Sequence, residues 1–284
     1  MTNTSSQTQF ITTEGGRVAF EDTGGNGPAI LAIPGMGDLR SEYRMIRPVL
    51  QQAGYRVITM DARGFGETSA TWSDYSARAV GRDAVAVLKH LGVGPATIMG
   101  NSFAAGSALW AAQDSAENVN GVVLLGPIVR DLEASFIQKL SLKIGFAGPW
   151  MVAFWTMYWN TLFPTVKPAD HAAVKAAITQ NLREPGRMDA LKAMLSLSKA
   201  DTAAILAKTT VPALIVMGTK DPDFGDAVEE ARTLAGLLGA QTIIVDGAGH
   251  YPHTEMPEMV APKLLSFLDD LKSNGANDRL RAVA

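Results

Sequence analysis

The chain has no cysteine, which removes disulfides, thiolate nucleophiles and cysteine-ligated metals from consideration. A cytoplasmic setting is the expectation that follows. Histidine is scarce too: the four present, His90, His171, His250 and His253, lack the i, i+4 or clustered spacing of a metal-ligand set, so no metal site is expected. An excess of positive charge is missing as well. Lys and Arg total 25 against 28 Asp and Glu, the net charge is -3, and no basic stretch stands out. That argues against nucleic acid and anionic membranes as partners. The opening MTNTSSQTQF lacks the charged start and apolar centre of a secretory signal. The one long uncharged run, Ile144 to Val166, covers 23 residues, but Pro149 and Pro164 leave only 14 between them. A bilayer needs roughly 20, so no membrane span is expected.

What is present is ample apolar material. Hydrophobic residues make up 47% of 284, enough for a large domain, or a domain with an insertion, around a substantial core. Phe10 to Thr13 and Arg17 to Glu21, parted by Glu14-Gly15-Gly16, read as a β-hairpin. Short apolar runs follow at Ala29 to Ile33, Arg56 to Met60, Ala96 to Met99, Gly121 to Leu125, Ala213 to Met217 and Thr242 to Val245. Most are apolar on both phases, as strands covered on both faces of a parallel sheet must be. Helical patterns such as Ala77 to Leu91 alternate with them, which predicts right-handed βαβ units and a doubly wound α/β fold with a mostly parallel sheet. The alternation fails between Asp131 and Lys199, where only helical stretches broken by prolines occur. The expected organisation is a core of residues 1–130 and 200–284 with a helical cap of residues 131–199. Such an insertion would sit over the C-terminal strand ends, where open α/β sheets bind ligands. The tail from Ser273 is expected to fray.

Gly100-Asn101-Ser102-Phe103-Ala104 lies between an apolar β-branched run and the Ala- and Leu-rich stretch Phe103 to Gln113. A serine at a sharp strand-to-helix turn holds its hydroxyl out at the sheet edge. Small residues two before and two after it let the flanking backbones pass closely. This is the pattern of a nucleophile elbow.

A serine hydroxyl is a weak nucleophile and needs a base, and a histidine base needs a carboxylate to fix its tautomer. Asp221 follows the strand Ala213 to Met217, and His250 follows the last strand in Asp246-Gly247-Ala248-Gly249-His250. Both lie in glycine-containing loops at strand ends, so both can reach the edge that carries Ser102. Asp223 and Asp226 are alternative acids in the same loop, with Asp221 preferred by its strand-end position. Ile33-Pro34-Gly35-Met36-Gly37 follows the strand Ala29 to Ile33, and its glycines permit a turn that aims the Met36 amide at the site. The Phe103 amide is the second expected donor of an oxyanion hole.

These four segments resemble the α/β-hydrolase superfamily over nearly the whole chain, with a cap inserted. Asp61-Ala62-Arg63-Gly64-Phe65-Gly66-Glu67-Thr68 is similar to that family's D-x-R-G-x-G-x-S signature, with Thr68 at the last position. Gly249-His250 through Glu255-Met256-Pro257-Glu258 is similar to its GHxxxxExPE signature. The resemblance implies nucleophile, acid, base and oxyanion roles for Ser102, Asp221, His250, Met36 and Phe103, and no cofactor. Gly35 and Gly37 lack the third glycine of a dinucleotide fingerprint, which agrees with that. Two positions depart from the family. Pro34 stands where it usually has histidine, and Ala104-Ala105 stand where it usually has glycine, which implies a slightly different elbow or a tighter pocket.

Seven aromatics, Phe146, Trp150, Phe154, Trp155, Tyr158, Trp159 and Phe163, fall close together in the insertion. Helical spacing places Trp150, Phe154, Met157, Tyr158 and Thr161 on one face. Either that face packs the insertion onto the sheet, or Trp150, Phe154, Trp155, Tyr158 and Trp159, with Tyr251 beside the base, line an apolar pocket. His90 and His171 are expected at the surface, and His253 in a structural role. The expected activity is serine-dependent hydrolysis of an uncharged, apolar carboxylic ester or lactone. Asn101 before the serine keeps carbon–carbon hydrolysis of ring-cleavage products as an alternative, although that group commonly carries Trp where Tyr251 stands. Epoxide hydrolases and dehalogenases of this fold use an aspartate nucleophile, and Ser102 argues against them. A hydrolase-fold ligand receptor with slow turnover is the third reading. Oligomeric state and the physiological substrate stay open.

Overall fold

In the computed structural model, residues 7–132, 140 and 144–283 are described, with side chains as far as residue 273. Eight strands form one sheet: β1 (Gln9–Thr13), β2 (Gly16–Asp22), β3 (Ala29–Ile33), β4 (Arg56–Met60), β5 (Ala96–Asn101), β6 (Val119–Leu125), β7 (Ala213–Gly218) and β8 (Gln241–Val245). Their spatial order is β1-β2-β4-β3-β5-β6-β7-β8. The hairpin β1–β2 and the pair β2–β4 are antiparallel, and every pairing from β4 across to β8 is parallel. Glu14 and Gly15 make the two-residue hairpin turn with φ of 42° and 86°, as a primed turn requires.

The central strands are apolar on both phases because helices cover both faces. Leu31, Ile33, Val122, Leu124, Ile215 and Met217 point into one core. It is closed by α2 (Ala77–Leu91), α3 (Phe103–Asp114) and α7 (Ala227–Leu238). Ile30, Ala32, Val123, Leu125, Leu214 and Val216 point into the other core, closed by α1 (Arg47–Gln52) and α8 (Pro257–Val283). This two-phase burial is the doubly wound arrangement that the runs imply. Helix α2 starts on a Ser76 side-chain cap and stops at Gly92 in the left-handed conformation. The tail that composition alone leaves frayed continues instead as helix α8 to Val283. No proline after Pro262 interrupts its hydrogen-bond ladder.

Between β6 and β7 the described chain is helical: α4 (Met151–Thr161), α5 (His171–Leu182) and α6 (Arg187–Ser196), followed by the short turn Ala200–Ala203. Residues 133–139 and 141–143 of the expected insertion lie outside the described residues. The helices are tied to the sheet domain by polar contacts. Arg44 holds the Asp170 carboxylate through both oxygens, and Asn181 exchanges two hydrogen bonds with the Gly66 backbone.

The D-x-R-G-x-G-x-T run is a buried clasp that locates the site's first loop. Asp61 accepts the Arg40 and Glu67 backbone N–H groups, and Thr68 donates to the Asp61 carbonyl while accepting the Ala19 N–H. A hydroxyl at that position is therefore what the clasp needs, and threonine supplies it. Arg63, fully buried, forks onto the Asp83 carboxylate and lies over the Trp72 ring.

Candidate active site

Strand β5 ends at Asn101, and α3 begins at Phe103, so Ser102 alone makes the turn. Its φ of 56° and ψ of -122° lie where a side chain is strained, which costs on the order of 1–3 kcal/mol. Strand and helix cross so closely that a Cβ on Gly100 would stand 2.1 Å from the Ala104 carbonyl oxygen. Ala104 is fully buried on the helix side of this crossing. Ser102 is 8% exposed, buried yet reachable.

The loop after β3 packs against this elbow: a Cβ on Gly35 would stand 3.4 Å from the Ser102 Cβ. Its turn is held at both ends. The Gly35 N–H donates to Glu42 Oε2 at 3.0 Å, and the Asp38 N–H closes back onto the Gly35 carbonyl at 3.2 Å. Met36 between them is half-buried, and Phe103, first residue of α3, is buried. The two expected oxyanion donors thus sit on adjoining backbone segments.

Asp221 and His250 emerge from the ends of β7 and β8, and His250 Nδ1 lies 2.7 Å from Asp221 Oδ2. Both side chains are almost wholly buried. Asn101, next to the serine, donates its amide to the His250 and Leu125 carbonyls, at 3.2 and 3.1 Å, joining the loop after β8 to the strand-to-helix turn. Burial pulls the His250 pKa down, but the Asp221 carboxylate first, then Asp223 and Glu42, outweigh it and push it up to about 9. Asp223 approaches the same nitrogen at 3.5 Å, whereas Asp226 instead caps helix α7 by accepting the Glu229 N–H. Geometry therefore separates the three acids of this loop. Asp221, Asp223 and His250 bring three potential metal-ligand atoms within 4.8 Å of one another, a grouping that sequence spacing does not reveal. The Asp221–His250 hydrogen bond already occupies Nδ1.

Three buried carboxyls surround these loops, and two of them, Asp38 and Glu42, lie in no motif. Asp38 accepts from Trp159 Nε1 at 3.1 Å, and its pKa rises to about 7 through burial and the neighbouring Glu42 charge. Burial lifts Glu42 to about 8. Glu255, the acid of the GHxxxxExPE run, accepts the Gly249 and Tyr251 N–H groups, and burial lifts it to about 7. Each holds a backbone turn of the site, and the only sequence signal was the motif around Glu255.

The aromatics are distributed differently from the expected face. Trp150 and Met157 are exposed, at 52% and 60%, and Trp150 Nε1 donates to the Ile144 carbonyl away from the site. Phe154 is half-buried, edge-on to Phe146 at 5.5 Å. Trp155 and Trp159, four residues apart, are the buried pair on α4, because that side faces the sheet domain. The Trp155 indole lies on the turn after β3, so close that a Cβ on Gly37 would stand 2.6 Å from its Nε1. Tyr158 packs on Trp155 and donates to Asp223 at 2.5 Å. Tyr251 is buried, with its ring stacked on Phe163 at 4.8 Å. Of the six expected pocket residues, Trp155, Tyr158, Trp159 and Tyr251 gather beside the loops that carry Asp221, His250 and the turn after β3, whereas Phe154 packs on Phe146 and Trp150 is exposed.

One histidine expectation changes. His171 is buried, stacked on Trp159 at 4.8 Å with Nε2 2.9 Å from Asn160 Oδ1. An aromatic platform draws the ring inward. His90 is exposed as expected, and His253 is fully buried, stacked on Tyr43 at 5.3 Å.

An uncharacterized protein of Mycobacterium tuberculosis is 27% identical, over 92% of this chain and 81% of its own length. The 3-oxoadipate enol-lactonase 2 of Acinetobacter baylyi is 24% identical, over 73% of this chain and 76% of its own. Among solved structures, an esterase of Exiguobacterium antarcticum superposes with a TM-score of 0.79 at 20% identity, covering 93% of this chain and all of that one. A family model of the alpha/beta hydrolase fold matches residues 28–257, and with that span of the sequence and this sheet the chain belongs to the α/β-hydrolase family.

Proposed function

We propose that the protein is a serine hydrolase that cleaves an apolar carboxylic ester or lactone through an acyl-enzyme. The observation that carries this reading is the conjunction of a serine at a strained strand-to-helix turn with a buried His250–Asp221 pair at 2.7 Å. In the proposed mechanism, His250 Nε2 takes the Ser102 Oγ proton as that oxygen attacks the substrate carbonyl. Asp221 holds the Nδ1 proton and offsets the charge on the imidazolium. The Met36 and Phe103 amides receive the developing oxyanion, a term worth on the order of 3 kcal/mol per donor. The His250 proton then passes to the leaving oxygen. Water, deprotonated by His250, releases the acid and returns the proton to Ser102.

Residues 131–199 act as a cap in this reading, and Trp155 and Tyr158 contribute its lining. Substrates are uncharged and apolar, in keeping with a segment, 144–166, that carries no charge. No helix among the described residues is long and apolar enough to cross a membrane. Carbon–carbon hydrolysis ranks second. Asn101, the residue that favours it by resemblance, spends its amide on two backbone carbonyls and so has a framework duty here.

Initial rates on p-nitrophenyl esters of increasing acyl length, and on lactones, test the reading, with Ser102→Ala alongside. Repeated turnover that disappears in the variant supports it. Turnover that persists in Ser102→Ala overturns the mechanism, and a wild type that reacts once or not at all favours the carbon–carbon hydrolase or receptor reading.

A further inference from the structure

Two carboxylates, not one, face the same nitrogen of His250. Asp221 Oδ2 lies 2.7 Å from Nδ1 and Asp223 Oδ2 lies 3.5 Å from it. The two acids are also joined to each other, because the Asp223 N–H donates to Asp221 Oδ1 at 3.1 Å. Pro222 between them restricts the backbone, so this short loop presents both carboxylates to one side. The other oxygen of Asp223 accepts the Tyr158 hydroxyl at 2.5 Å. Asp223 Oδ2 is buried, accepts no hydrogen bond and faces the imidazole; burial and the Asp221 charge raise the Asp223 pKa, against the His250 charge and the Tyr158 hydroxyl, which lower it.

We propose that Asp223 is a positioning residue for His250, a second carboxylate that stabilises the imidazolium and is held in place by Tyr158 of helix α4. The inference rests on the serine mechanism above. When His250 Nε2 takes the Ser102 proton, the ring becomes a buried cation. Asp221 meets it through the Nδ1 hydrogen bond, and Asp223 adds a second negative charge at a distance where interior charges still interact strongly. Neither carboxylate takes a proton in the step. Tyr158 satisfies Oδ1, so Oδ2 stays turned to the ring instead of to solvent. Because Tyr158 also packs on Trp155 over the turn after β3, the helix above the site sets the geometry of its base.

The other titratable groups near His250 are Glu42, Glu255 and His253, with Tyr251 edge-on to its ring at 5.4 Å. None of these approaches Nδ1, so a charge change at residue 223 is separable from them. Removing the Asp223 charge disfavours the imidazolium, and His250 becomes a neutral base at lower pH.

The experiment compares wild type with Asp223→Asn, Asp221→Ala and the double variant Asp221→Ala/Asp223→Ala. The acid limb of kcat/KM in Asp223→Asn is expected to move about one pH unit toward acid, with a lower kcat on the plateau. Asp221→Ala is expected to keep a kcat roughly tenfold above the double variant, because Asp223 remains to meet the imidazolium. Asp223→Asn is isosteric, and titration of the His250 ring by NMR reads the same shift without turnover, should the double variant not fold. An unmoved limb and an unmoved NMR titration overturn the proposal, as does an Asp221→Ala variant no faster than the double. Activity surviving in Ser102→Ala would instead defeat the serine mechanism, and the NMR titration would still report on Asp223.

Discussion

The backbone N–H of His250 donates to the Leu162 carbonyl at 3.0 Å, fastening the loop after β8 to the residue that closes helix α4. One turn earlier, Trp159 Nε1 donates to Asp38 on the turn after β3. The same helix end therefore holds both backbone segments that flank Ser102. A helix usually regarded as a cover is here part of the frame.

Replacing Trp159 by Phe keeps the stacking ring and deletes the donor to Asp38. The carboxyl already has its pKa lifted to about 7, and losing a donor to the charged form lifts it further. The variant is expected to lose about 1–3 kcal/mol above pH 7, and less at pH 5, where the carboxyl is neutral. Urea unfolding at the two pH values checks the difference, and equal losses at both would refute the role given to Asp38.

Ser102→Gly removes a side chain from a conformation glycine adopts freely. Relief of strain, on the order of 1–3 kcal/mol, exceeds the roughly 0.5–1 kcal/mol that glycine adds to unfolded-chain entropy. The variant is expected to melt at a higher temperature than wild type while turning over no ester. A lower melting temperature would show that the turn stores no strain.

Under the proposed mechanism the base must be neutral, and the His250 pKa is raised to about 9. Activity as kcat/KM should climb with pH through neutrality and level off above about 9. The linked stability runs the opposite way. The His250 contribution is full below the unfolded pKa near 6.5 and is lost as pH rises through about 9. Asp221→Asn should lower kcat by a factor on the order of 10³, chiefly by losing the tautomer. A pH–rate profile from 6 to 10 with both proteins tests these points.

Glu42 is a buried acid whose pKa is lifted to about 8, so the fold binds its proton more tightly than the unfolded chain does. Its ionisation destabilises the fold progressively from the unfolded pKa near 4.5 up to about 8. Glu42→Gln retains an oxygen to accept the Gly35 N–H and has no charge to bury. It should match or fall below wild type at pH 5 and exceed it at pH 9 in thermal stability. A constant difference across that range would mean that Glu42 does not titrate.

The sheet was legible because buried parallel strands announce themselves as short runs apolar on both phases. All eight strands stand where the runs lie, and α2 spans Ala77–Leu91 as its pattern implies. The candidates Ser102, Asp221, His250, Met36 and Phe103 could be proposed from the sequence because an elbow and strand-end loops require particular residue types at particular offsets. Local sequence alone determined these elements. The three-dimensional packing decided which side of α4 is buried, because an uncharged helix carries no amphipathic signal to orient it, and Trp155 and Trp159 turn inward where Trp150 does not. It also decided that His171 leaves the surface to stack on Trp159, and that Asp38 and Glu42 are buried behind the turn after β3. Among three acids within six residues, only the folded loops could separate Asp221 on Nδ1, Asp223 beside it and Asp226 on a helix N-terminus. Those outcomes depend on contacts between residues far apart in the chain, and no periodicity within a segment records them.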